Sequence, residues 1–289
     1  MASPLQVDVF VAPPIPAATG FDDPAKSQWS PISCTLIHSP KSAVLVDTPI
    51  TKKQAEELAE WIKATLAPGS KLEYIYTTHA HGDHYFGNPV IVDHFPGAKC
   101  VATASVVAGI ERTLVASLPL WQGWFPDGQV LAERQSVPEA LPETGEFIVG
   151  GHSFFGVDVA HSDTDASSFL HVPDLDLVVA GDIVYGECYQ FLAEANTPEK
   201  RKGWLDALDQ IAALKPSIVV PGHKRASQAD GPYLIDLTRE YIHTFERELE
   251  RLGDADKLEK AMKERYPQRW NEFILDVSCK GAVTGNSFA

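Results

Sequence analysis

The sequence predicts an α/β protein in which two strand-rich halves, each flanked by helices, pack as one sandwich. Three observations point there. Aliphatic and β-branched residues gather in runs of strand length, helical spacings separate those runs, and the chemistry-bearing polar residues cluster where predicted strands end. Length and composition agree: 289 residues can bury a large core without disulfide staples, and 44% hydrophobic with 22% charged residues is ordinary for a folded chain.

Taken in order, Val7–Ala12, Ile32–His38 and Ala43–Asp47 read as strands, with Ser39-Pro40 as a break. Thr51 then offers a capping hydroxyl to a helix whose Leu58, Trp61, Ile62 and Leu66 recur at spacings of three and four, and Pro68-Gly69 ends it. Leu72–Thr77 is a strand that runs into the densest polar cluster of the chain, His79-Ala80-His81-Gly82-Asp83-His84. A short helix and a strand at Lys99–Ala102 follow.

The segment from about 105 to 142 changes character: it carries Trp121, Trp124, Phe125 and several prolines, and reads as a helix followed by an aromatic-rich insertion over the sheet. Strands return at Glu146–Val149, Ser153–Ala160, Ser167–His171 and Leu177–Ala180. A helix capped by Thr197 spans Pro198–Leu214, and Ile218–Val220 leads into Pro221-Gly222-His223. Amphipathic helices close the pattern at about 233–251 and 255–265. No linker separates the halves, so a single domain over residues 1–289 is expected.

Charge and cysteine usage narrow the function. With 24 Lys and Arg against 39 Asp and Glu, the net charge of −15 repels a phosphate backbone, so nucleic acid is not an expected partner. Cys34, Cys100, Cys188 and Cys279 form no CxxC pair and suggest buried thiols in a reducing compartment. The apolar stretch 7–18 is broken by Asp8 and prolines, no basic residue precedes Lys26, and no apolar run reaches the ~20 residues of a membrane span. A cytoplasmic protein that makes no membrane contact is the expectation.

Ten histidines spread evenly over 289 residues would put about 0.2 in any six-residue window, yet His79–His84 holds three and an aspartate. In an extended chain His79 and His81 project to one side, and Gly82 permits a sharp turn that brings Asp83 and His84 in from another. That spacing suits two adjacent metal ions better than one.

His79-Ala80-His81-Gly82-Asp83-His84 at a strand end resembles the HxHxDH motif of the metallo-β-lactamase superfamily. The later stations follow in order: His161 in Val159-Ala160-His161-Ser162-Asp163-Thr164-Asp165, Asp182 in Val178-Val179-Ala180-Gly181-Asp182, and His223 after Pro221-Gly222. The resemblance covers roughly residues 7 to 223 and implies a four-layered αβ/βα sandwich. It also implies that His79, His81 and His161 hold one metal, that Asp83, His84 and His223 hold a second, and that Asp182 bridges them. Such nitrogen and oxygen donors suit two Zn²⁺, with Fe or Mn as the other candidates.

The implied chemistry is hydrolysis of a small carbonyl substrate by metal-bound hydroxide, with Asp83 and Asp182 as the catalytic carboxylates. The acidic balance and length argue against nuclease relatives. Secreted lactamases carry Cys or Ser in place of Asp182, and flavin-linked diiron relatives carry Glu in place of His81. The glyoxalase II branch has a basic glutathione site that this sequence does not display.

Lactam or lactone opening is therefore the favoured reaction. A thioesterase or sulfatase-like activity, a single-iron persulfide dioxygenase and a non-catalytic metal scaffold are the alternatives. The aromatic insertion favours a partly apolar, aromatic substrate, with Tyr85, Phe86, Trp121, Trp124, Tyr185 and Tyr189 as candidate pocket residues. Asp47 and Asp165 are candidates to hydrogen-bond metal ligands from behind, or to serve turns. His38, His94, His152, His171 and His243 read as surface or hydrogen-bonded residues, and Lys224 as a solvated lysine. The oligomeric state is not legible.

Overall fold

A computed structural model describes residues 3–131 and 137–286. In chain order its elements are β1 (Gln6–Ala12), β2 (Ile15–Pro16), β3 (Gln28–Trp29), β4 (Ile32–His38), β5 (Ser42–Val46), α1 (Lys52–Thr65), β6 (Lys71–Tyr76), α2 (Asn88–His94), β7 (Lys99–Ala102), α3 (Ala104–Trp124) and β8 (Glu139–Ala140). There follow β9 (Glu146–Val149), β10 (His152–Asp158), β11 (Ser168–Val172), β12 (Leu177–Tyr185), α4 (Pro198–Ala213), β13 (Ile218–His223), α5 (Tyr233–Leu252), α6 (Ala255–Arg265) and α7 (Glu272–Thr284).

The strands form two main sheets, ordered β1-β4-β5-β6-β7-β8 and β13-β12-β11-β10-β9, with β2 and β3 as a small separate ribbon. β1, β4 and β5 pair antiparallel and β5 through β8 parallel. In the second sheet only β12 and β13 run parallel.

Period-two alternation explains why the sheets stack face to face with helices outside. On β5, Val44 and Val46 point into one cluster of buried side chains while Ala43 and Leu45 point into another. On β12, Leu177 and Val179 join the first, and Val178 and Ala180 the second. The first cluster lies between the sheets and stacks Phe147 on Tyr76 and Phe154. The second holds the helix faces, including Leu58 and Ile62 of α1, Trp204 and Leu208 of α4, and Ile242 and Phe245 of α5. This is the expected αβ/βα sandwich.

The helices begin where the sequence places capping hydroxyls. Thr51 accepts from the Gln54 amide at 3.3 Å, and Thr197 accepts from Lys200 ahead of Pro198 at the first helical position.

Three departures have physical causes. β12 runs on to Tyr185 instead of stopping at Ala180, because Gly181 adopts φ +51° and shifts the register against β13 without ending the pairing. β13 likewise continues to His223. Helix α7 was not legible: Phe273, Ile274, Leu275, Val277 and Cys279 are all buried, so its apolar residues form no single stripe.

Of the aromatic insertion, 104–124 is the helix α3, and 132–136 lie outside the described residues. Helices at 233–252 and 255–265 occupy the expected stretch. The four cysteines are unpaired, three buried and Cys100 half-buried. Among the described residues no helix is long and apolar enough to cross a membrane.

Candidate metal centre

The polar cluster forms where β5, β6, β12 and β13 end, together with the loop that joins β10 to β11. The chain past β6 is held by long-range bonds: Ser168 N donates to the Thr78 carbonyl at 2.8 Å and Ala80 N to the Ala166 carbonyl at 3.2 Å. His79 pairs across to Ser167 as an isolated bridge, so the chain is still extended there and His79 and His81 emerge together. The turn Gly82–His84 then redirects Asp83 and His84.

Three overlapping groups result, each with its ligand atoms within 4.8 Å of one another: His79, His81 and Asp163; His79, His84 and Asp182; and Asp83, His84 and His223. The closest approaches include His84 Nε2 to Asp182 Oδ1 at 3.3 Å, His223 Nε2 to Asp182 Oδ2 at 3.2 Å, and His223 Nε2 to Asp83 Oδ2 at 3.6 Å. Asp182 thus lies between the two ends of the cluster. Gly222 makes this position available, since a Cβ there would fall 1.9 Å from Asp182 Oδ1.

His161 departs from expectation. It is buried but belongs to none of these groups; its Nδ1 lies 2.7 Å from the Ser162 carbonyl. The turn at Ser162 carries the chain so that Asp163, two residues on, faces His79 and His81. Its Oδ2 is 2.8 Å from His81 Nδ1 and 3.5 Å from His79 Nε2. The sequence signal for Asp163 was a second acidic side chain in the same short loop.

Each imidazole is oriented from behind. Asp47 Oδ2 sits 2.9 Å from His84 Nδ1, and the same carboxylate accepts the Thr78 amide and hydroxyl at 2.8 Å. His223 Nδ1 donates to the Pro31 carbonyl at 2.7 Å, and His81 Nε2 faces Glu194 Oε1 at 3.3 Å. Trp29 Nε1 donates to Asp83 Oδ2 at 2.9 Å, and the Tyr185 hydroxyl donates to Asp182 Oδ2. Asp165, by contrast, is exposed and pairs with Arg112 at 2.6 Å, so it does not support the cluster.

The buried carboxylates favour positive charge on the imidazoles they face. Burial alone lowers a histidine pKa, yet Asp182, Asp83 and Asp47 together hold His84 up at about 10. His79 lies below the ordinary value because burial outweighs its acidic neighbours. Burial pushes the Asp182 carboxyl up, but His223 and His84 more than reverse that and hold it well below the usual carboxylate range.

Three buried atoms, His79 Nε2, Asp163 Oδ2 and Asp182 Oδ1, make no well-formed hydrogen bond, although each has another nitrogen or oxygen of the cluster within 3.5 Å. Convergent donors of this kind fit divalent cations. Seven side chains could hold them: His79, His81, Asp83, His84, Asp163, Asp182 and His223.

The cluster floors a cavity of about 890 Å³, its mouth included, lined by His81, Asp83, Asp182 and His223 below and by Trp29, Trp121, Trp124, Tyr185, Tyr189, Phe191 and Glu194 around them. Of the six aromatic candidates, Trp121, Trp124, Tyr185 and Tyr189 line this cavity. Tyr85 and Phe86 do not: the turn at Gly82 sends both into the core, and a Cβ on Gly82 would meet the Phe86 ring at 2.2 Å. Trp29, Phe191 and Glu194 were missed because no local pattern marks them. Lys224 is neither solvated nor free for an anion; it is buried and paired with Asp230 at 2.8 Å. His38, His94 and His152 pair with Asp8, Glu56 and Asp174, and His243 is half-exposed beside Glu246.

A family profile described as the metallo-beta-lactamase superfamily matches residues 27–223, a stretch that contains all seven side chains. The chain belongs to that superfamily. Its members are metal-dependent hydrolases, and the fold binds metal ions. A hydroxyacylglutathione hydrolase of Erythrobacter litoralis (strain HTCC2594) is 27% identical over 190 residues, which is 64% of this chain. The chain spans 59% of that relative's length.

Solved structures share the superfamily fold. A metallo-beta-lactamase family protein from Thermus thermophilus superposes with a TM-score of 0.60 at 20% identity, covering 96% of this chain and 93% of its own. A metallo-beta-lactamase from Pontibacter korlensis gives 0.57 at 18%, covering 84% and 96%. The metallo-beta-lactamase FIM-1 from Pseudomonas aeruginosa, solved in its mono-zinc form, gives 0.55 at 15%, covering 83% and 91%.

Proposed function

We propose that this superfamily hydrolase acts on a small, largely apolar or aromatic carbonyl compound, and that lactam or lactone opening is its reaction. One observation carries this reading: the acid and imidazole cluster forms the floor of a slot whose walls are Trp29, Trp121, Trp124, Tyr189 and Phe191. Among the described lining residues Arg112 is the one Lys or Arg, and Asp165 already pairs with it. A substrate with several anionic groups would find little to bind.

When bound, the two divalent ions supply a water acidified toward neutrality and a Lewis acid for the carbonyl oxygen. The chain's own residues set the geometry. Trp29 fixes Asp83 through its Oδ2, leaving Oδ1 able to accept a proton from the attacking water or deliver one to the leaving group. Tyr185 lines the slot and donates its hydroxyl proton to Asp182, which holds that carboxylate in place at the floor. The aromatic walls exclude water and orient the ring or acyl chain.

A thioester substrate is the second reading, favoured by the 27% match to a hydroxyacylglutathione hydrolase. Protein loaded with Zn²⁺, Mn²⁺ or Fe²⁺ should be assayed against chromogenic lactones, lactams, thioesters and phosphodiesters. Preferential turnover of aromatic lactones or lactams is expected; turnover of thioesters alone would replace this reading with the second, and turnover of phosphodiesters alone would overturn both.

A further inference from the structure

His161 and Asp163 lie in the same loop, both are buried, and one of them turns toward His79 and His81. His161 packs its Cβ against α4, where a Cβ added to Gly203 would be 3.0 Å away, and keeps Nδ1 on the neighbouring carbonyl. Asp163 divides its two oxygens. Oδ1 holds the loop, accepting Thr164 N at 2.9 Å with Ser162 Oγ at 2.8 Å, while Oδ2 faces the two imidazoles.

Glu194 sharpens the arrangement. It is held by the Thr164 hydroxyl at 2.7 Å and sits 3.3 Å from His81 Nε2, so it favours the tautomer with its proton on that nitrogen. His81 Nδ1 and Asp163 Oδ2 lie 2.8 Å apart without an aligned hydrogen bond, the approach that two ligands of one cation make.

We infer that Asp163, and not His161, is the third protein ligand of the first metal subsite, which becomes a set of two imidazoles and one carboxylate. The inference rests on reading the cluster as a metal centre and is independent of the substrate. Replacing an imidazole by a carboxylate adds one negative charge and a harder donor, so this subsite should accept Mn²⁺ or Fe²⁺ more readily, relative to Zn²⁺, than a three-imidazole site would. Glu194 acts as a positioning residue for His81.

The test is metal content per chain after loading and dialysis, with circular dichroism melts to establish folding. Asp163→Asn keeps an oxygen for the Thr164 and Ser162 bonds and removes the charged donor that faces His79 and His81. We expect two ions in the wild type, two in His161→Ala and one in Asp163→Asn. In competition between equimolar Zn²⁺ and Mn²⁺, Asp163→His should raise the Zn-to-Mn occupancy ratio about tenfold or more.

Two ions in a folded Asp163→Asn, loss of an ion from His161→Ala, or an unchanged ratio in Asp163→His would overturn the assignment. If Asp163→Asn does not fold, the other two variants decide. A wild type that binds no metal overturns this inference and the metal-centre reading together, whereas two bound ions without carbonyl hydrolysis would sink only the proposed substrate class.

Discussion

Asp47 Oδ2 lies 2.9 Å from Nδ1 of His84, and Asp47 itself adopts φ +61° to reach it. The left-handed backbone is tolerable for an aspartate whose carboxylate also takes two bonds from Thr78. The arrangement fixes a proton on His84 Nδ1, so that a metal displacing the second proton would find Nε2 facing Asp83, Asp182 and His223.

Asp47→Asn should therefore keep the fold and weaken metal binding by about 10- to 100-fold, because a neutral amide orients the imidazole less firmly. Metal titration with a competing chelator measures it; an unchanged affinity would remove Asp47 from the support of the centre.

Trp29→Phe tests the support of Asp83. The variant keeps ring packing against Trp121 and Trp124 but deletes the indole donor to Asp83 Oδ2. A hydrogen bond to a charged group contributes about 1.5–3 kcal/mol, so a fall in kcat of roughly 10- to 100-fold is expected if that bond holds Asp83 for proton transfer. Steady-state kinetics on the best substrate of the panel gives the answer, and a change confined to KM would place Trp29 in substrate binding instead.

Trp204 anchors α4 to the second sheet: it is fully buried and its indole donates to the Ile183 carbonyl at 2.8 Å, next to Asp182. Trp204→Ala should cost about 3–5 kcal/mol of stability. Urea unfolding of the metal-loaded chain would show it, and a loss below about 1 kcal/mol would mean that the site collapses around the cavity.

Asp276 provides a pH test away from the metal cluster. Burial raises its carboxyl pKa, but hydrogen bonds from Lys280 and Lys26 outweigh that and hold it below the ordinary value. A depressed folded pKa stabilises the fold above the unfolded value of about 3.9, and that contribution disappears as pH falls through the folded value. Asp276→Asn should be less stable than wild type at neutral pH, with the difference closing below about pH 4. A constant difference across that range, read from melts at matched ionic strength, would contradict the ion-pair account.

Much of the molecule was legible because its signals are local. The Thr51 and Thr197 hydroxyls, the period-two alternation on β5 and the HxHxDH spacing each act within a few residues, so the chain states them before it folds. The sandwich and the grouping of His79, His81, Asp83 and His84 follow from those signals. Asp182 and His223 were reached through the resemblance to the superfamily, and both lie within β12 and β13 and not beyond their ends.

Tertiary structure decided the rest. Whether His161 or Asp163 faces the cluster depends on a turn held by Thr164 and Ser162 and on the packing of His161 against Gly203, some forty residues later. Trp29, Phe191 and Glu194 reach the cavity from segments with no motif, and Tyr85 and Phe86 leave it because Gly82 turns them inward. Spacing along the chain fixes which side chains can share a face over a few residues; which atom meets a partner a hundred residues away is set by the contacts of the folded state.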